Sequence, residues 1–266
     1  MTRITNSILL LILFTVSPAF AEEPVFADMK IDKRTVTIEV PAGAEQVVVP
    51  NLHAPMRNLR WADTDGNKGK LEISPLVDAW QIKVAKSNES RTARLVLGGK
   101  PQRTEELTTI KPRPDGGFDI PAHLAHVVGK KLRYETQPWK NTIGYWVGAD
   151  DYAYFILQFN KPGNFNAGIL QGCGKGQGGS DATISLHGPV EADKYTSNQQ
   201  PLDEASLAQV DFQVEETGHF QNFKWRHVGE LSVATKGIYA IKVAPKKIAK
   251  GALMDVRAIS LTPIPK

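Results

Sequence analysis

The sequence predicts an all-β protein built from two β-sandwich domains, the second of them a jelly roll, and three observations lead to the all-β class. Short apolar runs alternate in period two, clusters of Gly, Pro, Asn and Asp punctuate them, and almost no stretch has helical period. A chain of 266 residues, 41% hydrophobic and 23% charged, holds enough apolar side chains for one large core or two small ones. No repeat of fixed period occurs, which argues against propellers and solenoids.

The first element is a targeting segment, residues 1–21. Arg3 supplies a positive start, 8–16 a short apolar run, and Ala19-Phe20-Ala21 a small-x-small cleavage site before Glu22, the anatomy of a secretory signal peptide. The run is too short to span a bilayer, and no cysteine follows it to carry a lipid. The expectation is cleavage after Ala21 and a secreted or periplasmic protein with no membrane association. The chain carries a formal charge of +4, with bases scattered along it, and Lys246-Lys247 with Lys250 reads as a solvated loop. Nucleic acid is therefore not an expected partner. Cys173 is the one cysteine, so no intrachain disulfide forms.

Residues 22–97 read as a small β-sandwich. Its strands are Val36/Ile38/Val40, 47–49, Leu59/Trp61, Leu71/Ile73, Trp80/Ile82/Val84 and Ala93/Leu95/Leu97, with a turn at Asp63-Thr64-Asp65-Gly66-Asn67. Residues 98–117 read as a linker, opened by Gly98-Gly99 and closed by Lys111-Pro112-Arg113-Pro114-Asp115-Gly116-Gly117. Residues 118–266 repeat the β texture at larger scale, with strands at Leu132/Tyr134, 152–159, 165–170, 182–186, 210–214, 223–228, Leu231/Val233, 238–243 and 254–261. The run 152–159 is apolar on both parities except at Gln158, which marks a central strand covered on both sides. Lys161-Pro162-Gly163 is an inter-strand turn, and Pro201 opens a helical turn over 201–209.

Catalytic signatures are scarce. There is no Gly-x-Ser-x-Gly elbow, no His-Glu-x-x-His and no zinc-type spacing of His and Cys. His123 and His126 stand three apart without a third ligand nearby in sequence, and read as surface or capping histidines. Cys173 with His219 could be drawn as a thiol dyad, but a cysteine between glycines reads first as a small residue in a crowded loop. Gly172-Cys173-Gly174-Lys175-Gly176 lacks the Gly-Lys-Ser/Thr order of a phosphate loop and is followed by strand, so its glycines supply positive φ and close backbone approach.

Tyr145, Trp146 and Phe220 stand beside glycines in loop-like surroundings, whereas Tyr152, Tyr154, Phe155, Trp61 and Trp80 lie within apolar strands and read as core. Rings on loops suit sugars, because an apolar pyranose face stacks on an aromatic face while nearby polar groups take the hydroxyls. Two alternatives stay open. One is a glycoside hydrolase or related glycan-active enzyme using Asp150/Asp151 with Glu215/Glu216, although adjacent acids on a strand point apart. The other is a structural protein–protein module.

Several pieces then occur in a telling order: Gly144-Tyr145-Trp146, Asp150-Asp151-Tyr152-Ala153-Tyr154, Lys161-Pro162-Gly163, Gly178-Gly179-Ser180, Thr217-Gly218-His219-Phe220-Gln221-Asn222-Phe223 and Met254-Asp255-Val256-Arg257-Ala258-Ile259-Ser260-Leu261. Over 119–261 the chain resembles carbohydrate-binding modules of families 6 and 35, and more narrowly the module appended to secreted bacterial fucosidases and sulfatases. The resemblance implies a galactose-binding-like jelly roll of two antiparallel sheets, with a sugar held among the loops at one end. It implies Tyr145 and Phe220 as the stacking aromatics, Trp146 beside them, and Asp255 as the acceptor of sugar hydroxyls. Phe220 stands where the family usually has Trp, and Asp255 where it has Asn, so a neutral or weakly charged glycan is expected and acidic sugars are disfavoured. The family's structural calcium needs an acidic pair near the first strand, where this chain has only Asp119, so no metal and no cofactor are assigned. Residues 36–38 and 80–84 resemble strands of the small sandwich that closes secreted fucosidases. The expected function is non-catalytic glycan binding, with a secreted glycan-degrading enzyme as an accompanying partner.

Overall fold

The computed structural model describes residues 26–62, 69–107 and 109–265. The expected signal segment and the turn at 63–67 lie outside the described residues. Among those residues no helix is long and apolar enough to cross a membrane.

The N-terminal strands are β1 (Met29–Asp32), β2 (Thr35–Val40), β3 (Gln46–Pro50), β4 (Met56–Trp61), β5 (Glu72–Pro75), β6 (Ala79–Lys83) and β7 (Arg91–Leu97). They pair as β1-β2-β7-β4 and β3-β6-β5. Strict alternation puts Val36, Ile38 and Val40 of β2 and Ala93, Leu95 and Leu97 of β7 on one face, where they meet Val47, Val49, Trp80 and Ile82 in a single core. Trp80 is wholly buried, whereas Trp61 is half-buried with the Arg91 guanidinium 4.0 Å from its ring centroid.

The remaining strands are β8 (Phe118–Pro121), β9 (His126–Val128), β10 (Arg133–Glu135), β11 (Thr142–Gly144), β12 (Tyr152–Phe159), β13 (Gly163–Cys173), β14 (Asp181–His187), β15 (Ser206–Gln213), β16 (His219–Val233), β17 (Gly237–Lys247) and β18 (Asp255–Pro263). One sheet runs β10-β11-β18-β13-β16, with β8 on β18, and the facing sheet runs β15-β14-β17-β12-β9. Their inner faces share a core that includes Phe118, Phe155, Phe159, Phe165, Ile169 and Ile259. The outer face of β12 is also covered: Tyr154 and Ile156 pack with Val190, Tyr195 and Leu202 of the long β14–β15 connection, which explains why that strand is apolar on both parities.

Several local expectations are corrected. Residues 201–205 have no helical turn and 206–213 form β15, because period-two pairing with β14 satisfies a backbone that a short polar helix would leave exposed. The separate runs 223–228 and 231–233 are one strand, since Gly229 sits at a bulge opposite Ala167 and Gly168 that lets the ladder bend without breaking. Strands β1, β8, β9 and β11 are too short or too polar to show in the apolar pattern.

His123 and His126 are not surface residues. His126 is buried and stacks on Tyr154 (centroids 4.9 Å apart, planes 9° apart), and His123 is half-buried beside Tyr134. A third histidine joins them from the N-terminal sandwich. Buried His53 donates from Nδ1 to the His123 carbonyl at 2.7 Å, and its Nε2 lies 2.9 Å from Thr104 Oγ1. The same junction holds Thr136, whose hydroxyl donates to Ala54 O at 3.1 Å and accepts from Met56 N at 3.0 Å. The stretch 98–117 is pinned as well, because Ile110 is buried and exchanges backbone hydrogen bonds with β12.

Candidate functional site

The loops between β10 and β12, the β17–β18 connection and the starts of β16 and β18 meet at one end of the second sandwich. They enclose a cavity of ≈ 280 Å³ lined by Tyr145, Trp146, Phe220, Asp255, Glu135 and Lys140, among others. The residues singled out from sequence are therefore brought together, although they come from three separate stretches of chain.

Tyr145 follows β11 with φ 59°, a left-handed conformation that a bulky residue adopts at a cost and that lifts its ring out of the sheet. The ring is 48% exposed, with the Arg133 guanidinium 3.5 Å from its centroid and Lys140 Nζ at 5.7 Å. Phe220, near the start of β16, is half-buried and lies against the glycine loop. A Cβ on Gly174 would stand 2.6 Å from the Phe220 ring, and one on Gly172 only 1.9 Å from the Phe220 carbonyl oxygen. Gly176 and Gly179 instead have positive φ, 75° and 88°. The two kinds of glycine do different work in one loop.

Trp146 is not a stacking platform. Its side chain is 1% exposed, belongs to the main core, and donates from Nε1 to the Asp151 carbonyl at 3.0 Å. An indole with its N–H satisfied and both faces packed supports the cavity floor instead.

Asp255 opens β18 opposite Gly172 and is buried. Glu135, at the end of β10, is buried too and forms an ion pair with Lys140 at 2.6 Å. A Cβ on Gly144 would stand 2.6 Å from Glu135 Oε2 and 3.0 Å from Asp255 Oδ1, so the two carboxyl groups face each other across Gly144. Burial first, and then the neighbouring Glu135, push the Asp255 carboxyl up to about 8, against the opposing pull of Lys140, a Gln221 hydrogen bond and Arg257. A carboxyl held up in this way can donate as well as accept a hydrogen bond, which adds to the acceptor role that the resemblance implies. Glu135 and Lys140 escaped the sequence reading because only the pairing of β10 with β11 carries them to the rim.

Asp151, Glu215, Glu216 and Cys173, which the alternative constellations would use, each have local partners. The Asp151 carboxyl lies against Gly129 and Gly148 and accepts from Lys130 N at 3.3 Å, Glu215 is ion-paired with Arg226, and Glu216 accepts from Gly176 N at 2.6 Å. Cys173 faces the core with Sγ 3.9 and 4.0 Å from the carbonyls of Gly174 and Leu253, and burial pushes its thiol up to about 11. His219 is its register partner, but the ring turns outward and accepts from Gln221 N at 3.1 Å. Asp119 does not suit a calcium site, since its carboxylate is held by the Arg113 guanidinium. Among the described residues no group of three or more His, Cys, Asp or Glu is arranged to hold a metal ion.

No protein-family model matches the chain, and no curated protein matches its sequence. Among solved structures it is similar to an α-L-fucosidase from Vibrio sp. strain EJY3, at 11% identity and a TM-score of 0.32, over 86% of this chain and 38% of that one. It is similar to a GH26-CBM35 β-(1,4)-mannanase of Podospora anserina, at 14% identity and a TM-score of 0.38, over 57% of this chain and 28% of the other. It is also similar to a CBM35 module from Cellvibrio japonicus, at 7% identity and a TM-score of 0.37, over 55% of this chain and 92% of the module. The chain thus spans little more than a third of the fucosidase and less of the mannanase.

Proposed function

We propose that this is an exported glycan-binding protein whose C-terminal sandwich holds a neutral sugar ring in the loop-end cavity, without turning it over. The observation that carries the proposal is the convergence of Tyr145, Phe220 and Asp255 on one cavity of ≈ 280 Å³, about the room one sugar ring needs. Tyr145 offers the ring face not covered by Arg133, Phe220 closes the opposite side, and the Asp255 carboxyl exchanges hydrogen bonds with ring hydroxyls. Charge-assisted contact from Lys140 adds orientation. Affinity on the order of micromolar to millimolar is expected, because a shallow site buries little area against the cost of association.

One observation favours a hydrolytic reading instead. Asp255 keeps its proton near neutrality while Glu135 faces it in an ion pair, and a carboxyl pair divided in this way is the usual equipment for general acid–base work on a glycosidic bond. A glycan array with the protein lacking residues 1–21, followed by calorimetry of the best ligand with wild type, Tyr145→Ala and Phe220→Ala, separates the readings. Binding lost in both variants, with no sugar released on incubation, supports the proposal. Unchanged affinity in both folded variants refutes it, and turnover abolished by Asp255→Asn establishes the enzyme.

A further inference from the structure

The two sandwiches meet at a polar seam. Among the described residues no buried apolar cluster holds side chains of both: one cluster fills the first sandwich and others the second. Hydrogen bonds join the two instead. His53 Nδ1 donates to the His123 carbonyl at 2.7 Å, Met56 N to Thr136 O at 3.0 Å, Thr136 Oγ1 to Ala54 O at 3.1 Å and Gln137 Nε2 to Ile73 O at 3.3 Å. Domains that share no apolar core are free to part when such bonds are lost.

Three imidazoles gather at this seam, His53 from the first sandwich and His123 and His126 from the second. Nδ1 of His123 and Nδ1 of His126 are buried and have no hydrogen-bond partner. In an imidazolium both nitrogens carry hydrogen, so protonation would leave each as a buried donor with nothing to accept it. The titratable groups that face the cluster offer little relief. Glu105 acts on His53 but is exposed, with Arg103 Nη1 4.0 Å away. The Tyr134 ring lies 6.4 Å from His123 and the Tyr154 ring 4.9 Å from His126, and burial raises both hydroxyls, so neither supplies a negative charge. The β14–β15 connection brings the Ser197 backbone to His126, while its acids Asp203 and Glu204 bear on Tyr154.

We infer that the seam is an acid-operated hinge: when His53, His123 and His126 take up protons, the two sandwiches part and stay joined by the chain between Leu97 and Ile110. Protonation sets three cations in one dry junction, and water reaches them only if the seam opens. Neither main core contains a histidine, so each sandwich keeps its packing when they separate. Ile110 remains tied to β12 by its backbone hydrogen bonds, which fixes the far end of the tether. The sign follows from the closed form, where burial and then His53 hold His123 and His126 at about 4, whereas a ring freed into water recovers the ordinary value near 6.5. The open form therefore binds protons that the closed form refuses. Opening is favoured as pH falls, by on the order of a hundredfold per histidine near pH 4.5 relative to neutral pH.

The test follows the chain after residue 21 by small-angle X-ray scattering and far-UV circular dichroism as the pH is lowered from about 7.5 to about 3.5. The expected result is a reversible rise in radius of gyration at constant molecular mass, centred near about pH 5, while the strand signal persists. His123→Phe with His126→Phe keeps the ring bulk and removes two of the three protons, and should hold the molecule compact to a pH about one unit lower. If that double variant fails to fold, the imidazole proton signals of wild type decide: they should titrate in step with the radius of gyration. Titration of those signals in a molecule that stays compact overturns the inference. So does a radius that changes only when the strand signal is lost, and so does a folded double variant that opens at the wild-type pH.

Discussion

The ring of Phe220 rests directly on Gly174: a Cβ there would lie 2.6 Å from Cε2 and 2.9 Å from Cδ2. The glycine loop and the aromatic loop, 46 residues apart in the numbering, are therefore one structure, in which the missing side chain decides where the aromatic can lie.

Gly174→Ala should leave the fold intact and displace the Phe220 ring, since the obstacle is a side chain that can turn away. About 1 kcal/mol of stacking lost corresponds to roughly fivefold weaker glycan binding by calorimetry. Gly172→Ala meets backbone instead, with the Phe220 carbonyl oxygen 1.9 Å from the new atom, and should lower the denaturation midpoint. Equal effects of the two substitutions on binding and on stability would contradict this division.

Asp255 gives the protein a pH dependence of unusual sign. Its folded-state carboxyl titrates at about 8, above the ordinary aspartate value, so the folded state holds a proton that the unfolded chain has released. Its contribution to stability is greatest below about pH 4 and is lost as pH rises toward 8. Relative to wild type, Asp255→Asn should gain stability between pH 5 and pH 8, measured by urea denaturation at both. A constant difference between the two proteins would mean that the carboxyl is already ionised at pH 5.

The histidines at the junction act in the opposite direction. Burial, and then the proximity of His53, hold His123 and His126 down to about 4, below the ordinary histidine value near 6.5. Between those values the unfolded chain binds protons that the folded state refuses, so stability should fall as pH drops from about 6.5 to about 4 and level off below. His126→Phe, which keeps the stack on Tyr154, should flatten the decline in denaturation curves taken from pH 7 to 4.5. An equally steep decline in that variant would assign the acid sensitivity to other groups.

Cys173 should resist a thiol reagent at pH 8 in the folded protein and react at once in guanidinium, because its sulfur is buried and its thiol is raised to about 11. Cys173→Ala should cost on the order of 1 kcal/mol in stability, the usual scale for a small buried deletion, and leave glycan binding unchanged. Rapid labelling of the folded protein would contradict the burial.

The sequence alone determined what is local. Period-two alternation along β2 and β7 exposes the β class directly, because each side chain's face follows from its parity, while the short run of β12, apolar on both parities, marks a strand covered on both sides, and the glycines of the β13–β14 loop announce positive φ and close approach by composition. The order of Tyr145, Phe220 and Asp255 along the chain was also legible, through the pieces around them. What only the tertiary structure decided is which atoms meet. Trp146 and Tyr145 are neighbours in sequence, yet one packs in the core and the other stands in solvent, since a left-handed φ at Tyr145 turns the chain between them. Glu135 reaches Asp255 and His53 reaches His123 through strand register and sandwich closure. Those contacts join residues far apart in the chain, where no periodicity carries information about distance.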